Sequence, residues 1–120
     1  MDAFLLVGIG GGIGSIIRFE LSRLQPVREI PAGTLLVNIT GSFIFGLLAF
    51  SYPPSDLMNL IGVGCMGGFT TFSTFSYETF RMLENHTYYT MAANILANGA
   101  GSILGVYVAY AICSAVSIPW

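Results

Sequence analysis

"GGFTTFSTFSYETF", residues 67–80, is the stretch on which the reading of this chain turns. No charged residue separates Asp56 from Glu78, and the surrounding run is apolar enough to enter a membrane. Yet the stretch carries six serine and threonine hydroxyls, four phenylalanines, a Gly-Gly pair and a carboxylate. Gly-Gly weakens a helix, and short hydroxyls take over backbone hydrogen bonds. The stretch therefore predicts a helix broken near residues 67–71. Broken backbone at membrane depth persists only where protein or a water-lined cavity satisfies it. Carbonyls freed at such a break are able to hold a small cation such as Na⁺; a plain kink without an ion is the alternative. Beyond the break, Phe72 and Phe75 are three apart and share a helical face, and Thr74 and Glu78 are four apart. A face of rings thus runs beside a face of hydroxyls that ends in a carboxylate. If the rings met only lipid and the hydroxyls only their own helix, the density of polar groups would have no purpose. Ionisable groups in such segments are costly and usually functional.

The rest of the chain belongs to the same class. Hydrophobic residues make up 54% and charged residues 8%, with mean hydropathy +0.76; soluble domains carry about 25% charged residues. There is no lysine and no basic run, and the net charge is −2, so nucleic acid is excluded as a partner. A spanning helix needs about 20 mostly apolar residues. Four segments qualify, near 3–22, 32–52, 57–82 and 88–116, in one transmembrane domain covering 1–120. The apolar start has no basic n-region and leads into Arg18, so it reads as the first span and not as a signal peptide. Pro31 suits the start of the second helix, and Pro53-Pro54 stops it. Short links make neighbouring helices antiparallel and put both termini on one side. Four helices leave little room for a pathway within one subunit, which points to an oligomer. Cys65 and Cys113 read as reduced, buried packers.

Small residues recur at four-residue spacing: Gly8/Gly12, Gly10/Gly14, Gly64/Gly68 and Gly101/Gly105. In lipid this lets helix backbones approach closely, within a subunit or between subunits. "GIGGGIGS" completes no dinucleotide fingerprint and lacks the strand that fingerprint needs. Arg18, Arg23, Arg28 and Arg81 all fall on the side away from the termini, which the positive-inside rule places in the cytoplasm.

Asn38, in "GTLLVNITGS", sits in mid-membrane one turn after Thr34. A buried amide must find a partner; it is either glue between helices or a donor facing a pore. Asn94 and Asn98, four apart on the last helix, raise the same choice, with packing favoured for Asn94. Arg18 either snorkels or stands at an anion-attracting vestibule. His86, in a short link, reads as solvated. The membrane-embedded groups are mostly neutral donors, which suits a small hydrated anion whose shell amides and hydroxyls replace. Ring edges carry positive potential and help. This chemistry does not choose fluoride over chloride.

"GTLLVN", "GGFTTFSTFSYETF", "GSIIRF" at residues 14–19 and the "GS" at 101–102 together resemble the CrcB/Fluc family of fluoride channels. The resemblance covers essentially the whole chain. It implies an all-α membrane protein of the cell inner membrane that lets fluoride leave down its gradient. It further implies an antiparallel dimer with two pores at the interface and a central structural Na⁺. Carried over, the Na⁺ carbonyls belong to Gly67 and Thr70. The pore phenylalanines fall on Phe72 and Phe75 and the pore amide on Asn38. The polar track falls on Ser73, Thr74 and Glu78, and the vestibule arginine on Arg18. The partners implied are fluoride, lipid and a second subunit. A subunit that inserts both ways should show little charge bias, and all four arginines fall on one side; against that bias, a homodimer of two orientations is still favoured over a heterodimer with an oppositely biased relative. A proton-coupled small multidrug transporter is the competing four-helix reading; it needs a carboxylate deep in helix 1, whereas Glu20 lies near that helix's end. A non-transporting assembly subunit would leave the hydroxyls idle. An enzyme is excluded by the lack of a ligand cluster or an activated nucleophile.

Overall fold

The computed structural model describes residues 1–120. Asp2 caps the first helix by accepting the Phe4 N–H at 2.9 Å, and α1 runs Ala3–Leu21. After Pro31, α2 runs Ala32–Ser51. Tyr52 then turns into the left-handed region, and Pro53-Pro54 cannot continue a helix. The third helix, expected as one run with a break, comes in two pieces. The first, α3a, joins an α-helical turn Ser55–Leu57, a π-helical run Met58–Cys65 and a further α-helical turn Met66–Phe69. The second, α3b, runs Phe72–Glu84, and α4 runs Tyr88–Ala115. Three helices, α1, α2 and α4, are each long and apolar enough to cross a membrane. The fourth crossing is divided between α3a and α3b.

Backbones touch where glycines line up. A Cβ on Gly10 would fall on the Leu60 carbonyl, and one on Gly14 on the Cys65 carbonyl. Across the same seam, a Cβ on Gly68 would strike the Gly11 carbonyl. So α1 lies directly against α3a, and these glycines pack within the subunit. Gly8 and Gly12 face open space. The π-helical run lies along this seam; Met66 N–H reaches back five residues to the Ile61 carbonyl. Widened turns of this kind are rare and concentrate at functional sites. On the other side α2 lies along α4. Gly14→Val is expected to destabilise by about 2 kcal/mol or more, because neither backbone can withdraw; a thermal melt in detergent measures this.

Both termini lie beside the α2–α3a link. The Met1 ammonium stands 3.5 Å from Asp56, and Trp120 donates to the Ser51 carbonyl at 2.7 Å. Arg18 and Arg81, in the last turns of α1 and α3b, lie at the opposite end. The molecule is a slab of 48 × 33 × 18 Å. Eighteen ångströms is under two helix diameters of about 10–12 Å. Only Val37, Met66 and Phe69 form a dry cluster. One copy therefore encloses no lumen.

Candidate functional site at the break in helix 3

The break falls at Thr70 and Thr71, the C-terminal end of the expected window. Both are extended, with φ/ψ of −78°/156° and −148°/116°. Gly67 and Gly68 remain helical. Hydroxyls therefore make the break, while Gly68 serves the close approach of α1. Thr71 caps α3b: its Oγ1 accepts the Thr74 N–H at 3.1 Å. The Thr71 N–H goes to Asn38 Oδ1 at 2.8 Å, and the Thr71 carbonyl accepts from Asn38 Nδ2 at 3.1 Å. One amide side chain thus takes both backbone groups of the break residue, as an adjacent strand would.

This exchange frees two carbonyls. In an unbroken helix, Gly67 would accept from the Thr71 N–H and Thr70 from the Thr74 N–H. Both donors are engaged elsewhere, by Asn38 and by the Thr71 hydroxyl. Gly67 is exposed, and a Cβ there would meet nothing within 4 Å. Gly67 and Thr70 line one open concavity of about 450 Å³ with Gly41, Ser42 and Gly62. Hard cations take carbonyl oxygens. Two unclaimed carbonyls on an open face fit the metal that the resemblance implied.

Two further cavities flank α3b. The first, of about 410 Å³, gathers Arg18, Thr34, Thr71, Ser73 and Thr74 between α1, α2 and α3b. Arg18 is half-buried and makes no ion pair, unlike Arg23 with Glu20 and Arg81 with Glu84. An unpaired guanidinium over hydroxyls attracts anions. Glu78 joins this side through Thr34, whose hydroxyl donates to Oε1 at 2.9 Å; the buried Oε2 has no partner. The second cavity, of about 450 Å³, is lined by Asn38, Phe72, Phe75, Asn98 and Ser102, among others, between α2, α3b and α4. The rings of Phe72 and Phe75 stand 5.9 Å apart, tilted by 46°. Phe72 is 79% exposed, so nothing in this copy covers it. Thr71 lines both cavities.

The chain matches the family described as CrcB-like protein, Camphor Resistance (CrcB), over residues 5–110. The chain belongs to the CrcB family. A Methanosarcina barkeri relative named "Fluoride-specific ion channel FluC 1" is 42% identical over 92% of this chain and 96% of its own length. A Methanosarcina acetivorans relative, "Fluoride-specific ion channel FluC 3", is 45% identical over 88% of this chain and 96% of its own. One from Methanocaldococcus jannaschii, "Fluoride-specific ion channel FluC", is 44% identical over 86% and 87%. This CrcB-family chain is a multi-pass membrane protein of a non-enzymatic channel class.

The expected site residues therefore divide into three groups around one break. Arg18, Ser73, Thr74 and, through Thr34, Glu78 face one cavity. Asn38, Phe72 and Phe75 face the second. Gly67 and Thr70 face the open concavity. Glu20, the carboxylate a multidrug transporter would need inside the membrane, is exposed at the helix end and 3.6 Å from Arg23. Sequence reasoning passed over Thr34, named only as a neighbour of Asn38, and Thr71. The signal for Thr71 was available: a Thr-Phe-Ser-Thr start is a helix cap, and a cap in mid-span marks the break.

Proposed function

We propose that this CrcB-family chain is a fluoride-selective channel that lets fluoride leave the cell passively, working as an antiparallel dimer in the cell membrane. The observation that carries the reading is the two-sidedness of α3b. It offers hydroxyls near Arg18 on one side and phenyl rings on the other, in a chain whose relatives are named fluoride-specific ion channels. Neither side is a closed path. A second copy laid against this face in the opposite orientation would complete two pores, each built from both subunits. The exposed Phe72 and the thinness of the slab support such a partner.

Fluoride holds its water tightly, so the path must replace hydration with donors that do not bind it permanently. Arg18 concentrates anions at the mouth. The hydroxyls of Ser73 and Thr74 exchange for water along the helix. The edges of Phe72 and Phe75, which carry partial positive charge, face the ion without a formal charge to trap it. The carbonyls of Gly67 and Thr70 would hold Na⁺ between the two breaks. When bound, Na⁺ would supply a fixed positive charge to these carbonyl oxygens.

Expression of the chain in bacteria that lack fluoride export should raise the fluoride concentration they tolerate. Unchanged sensitivity with the protein present in the membrane contradicts the proposal. Purification in a large monovalent cation in place of Na⁺ should weaken the dimer and slow fluoride efflux. Indifference to that exchange removes the metal from the account.

A further inference from the structure

Asn38 does not act alone. Its orientation is fixed by backbone chemistry: the Thr71 N–H is a donor and must meet Oδ1, and the Thr71 carbonyl is an acceptor and must meet Nδ2. The second Nδ2 hydrogen then points at α4, where Asn98 presents Oδ1 at 3.0 Å. That fixes Asn98, whose Nδ2 donates to the Asn94 carbonyl at 3.0 Å and to Asn94 Oδ1 at 3.1 Å. Asn94 is fixed in turn, and its Nδ2 donates to Thr79 Oγ1 at 3.1 Å. The Thr79 hydroxyl donates to the Phe75 carbonyl at 2.7 Å. From Asn38 through Asn98 and Asn94 to Thr79 every bond runs one way, and no amide can flip without setting donor against donor. The chain begins on the backbone of Thr71 and ends on the backbone of Phe75. Those two residues bracket the turn that carries Phe72 and Phe75. Asn94 is fully buried and Asn98 is 5% exposed.

We infer that Asn98, Asn94 and Thr79 are positioning residues of the conduction site. They form a one-way hydrogen-bond chain that locks Asn38 in one orientation and clamps both ends of the Phe72–Phe75 turn. Asn94 and Thr79 line none of the three cavities, and Asn98 meets the second only at its wall. Their work is to keep the break open at Thr71 and to hold the rings at a set angle. The inference rests on the channel reading for its conduction readout alone.

The discriminating variants sit at the far end of the chain. Thr79→Ser keeps a hydroxyl that accepts from Asn94 and donates to Phe75. Thr79→Val has the same shape and does neither. Asn98→Leu removes the central link. Two quantities are measured on folded dimers in liposomes: fluoride efflux, and hydrogen–deuterium exchange of the peptide spanning 70–76. Asn98→Leu and Thr79→Val should each raise exchange there and lower efflux by about tenfold, the size expected for one unpaired buried group. Thr79→Ser should match the parent in both. Equal exchange and efflux in Thr79→Ser and Thr79→Val overturn the inference, whether or not Asn98→Leu folds. If the parent passes no fluoride yet exchange responds as described, the hydrogen-bond chain stands and the channel reading fails.

Discussion

Replacing Asn38 with leucine is expected to abolish fluoride efflux and lower thermal stability, the largest effect of any single substitution in this chain. The side chain satisfies Thr71 N–H, Thr71 C=O and Asn98 Oδ1 at once. Each buried polar group left unpaired costs about 1–3 kcal/mol, and lipid supplies no water in compensation. The helix has a cheap way out. With Asn38 gone, the Thr71 N–H regains the Gly67 carbonyl and the break closes toward a continuous helix. That removes the free carbonyls and rotates Phe72 and Phe75 together. A loss of about a hundredfold or more in efflux follows from a few kcal/mol at the conducting turn. Asn38→Asp separates the two roles. Ionised, it still accepts the Thr71 N–H but sets an acceptor oxygen against the Thr71 carbonyl and Asn98 Oδ1. It should keep the Thr71 N–H engaged and still conduct poorly. Normal efflux in Asn38→Leu would show that the amide does not hold the conducting geometry.

Phe72→Ile and Phe75→Ile are expected to lower efflux by about tenfold or more each while leaving the dimer assembled. An isoleucine keeps the apolar character but has no ring edge. The stabilisation withdrawn from an ion stripped of water is at least the about 1.4 kcal/mol that a tenfold change requires. Phe72 is 79% exposed, so its loss opens no cavity in this copy; exposed substitutions usually change stability by about 0.5 kcal/mol or less. Phe75 is half-buried, and its variant should melt somewhat lower. Size-exclusion profiles separate a conduction defect from an assembly defect. Parent-like efflux in both variants would remove the rings from the mechanism.

Four helical segments, their polarity and the break were legible because each rests on local chemistry. Apolar runs set the spans, Pro31 and Pro53-Pro54 mark the ends of α2, and the threonines after Gly68 offer the backbone alternative hydrogen bonds. The same locality misled the reading of the Gly-Gly pair. Both stay helical: Gly68 meets the α1 backbone, which its neighbours in sequence do not record, and Gly67 faces open space. The π-helical run Met58–Cys65 has no composition of its own; it lies where Gly10 and Gly14 dock against Leu60 and Cys65. Asn38 was recognisable as an anomaly but not as a clamp, since its partners come from α3b and α4. Asn98 was undecided in sequence for the same reason. An amide's role depends on which groups face its two hydrogens, and periodicity carries no record of that. The division of the site into three faces was hidden too: a helical wheel places Ser73 and Phe72 apart, but only packing gives each its own cavity.

The most direct test loads liposomes containing the purified protein with potassium fluoride, or with potassium chloride, and follows anion efflux with ion-selective electrodes after potassium permeability is supplied. The account predicts fast fluoride efflux that scales with protein, and no chloride efflux. Chloride leaving as readily as fluoride, or a folded dimer that releases neither, would contradict it.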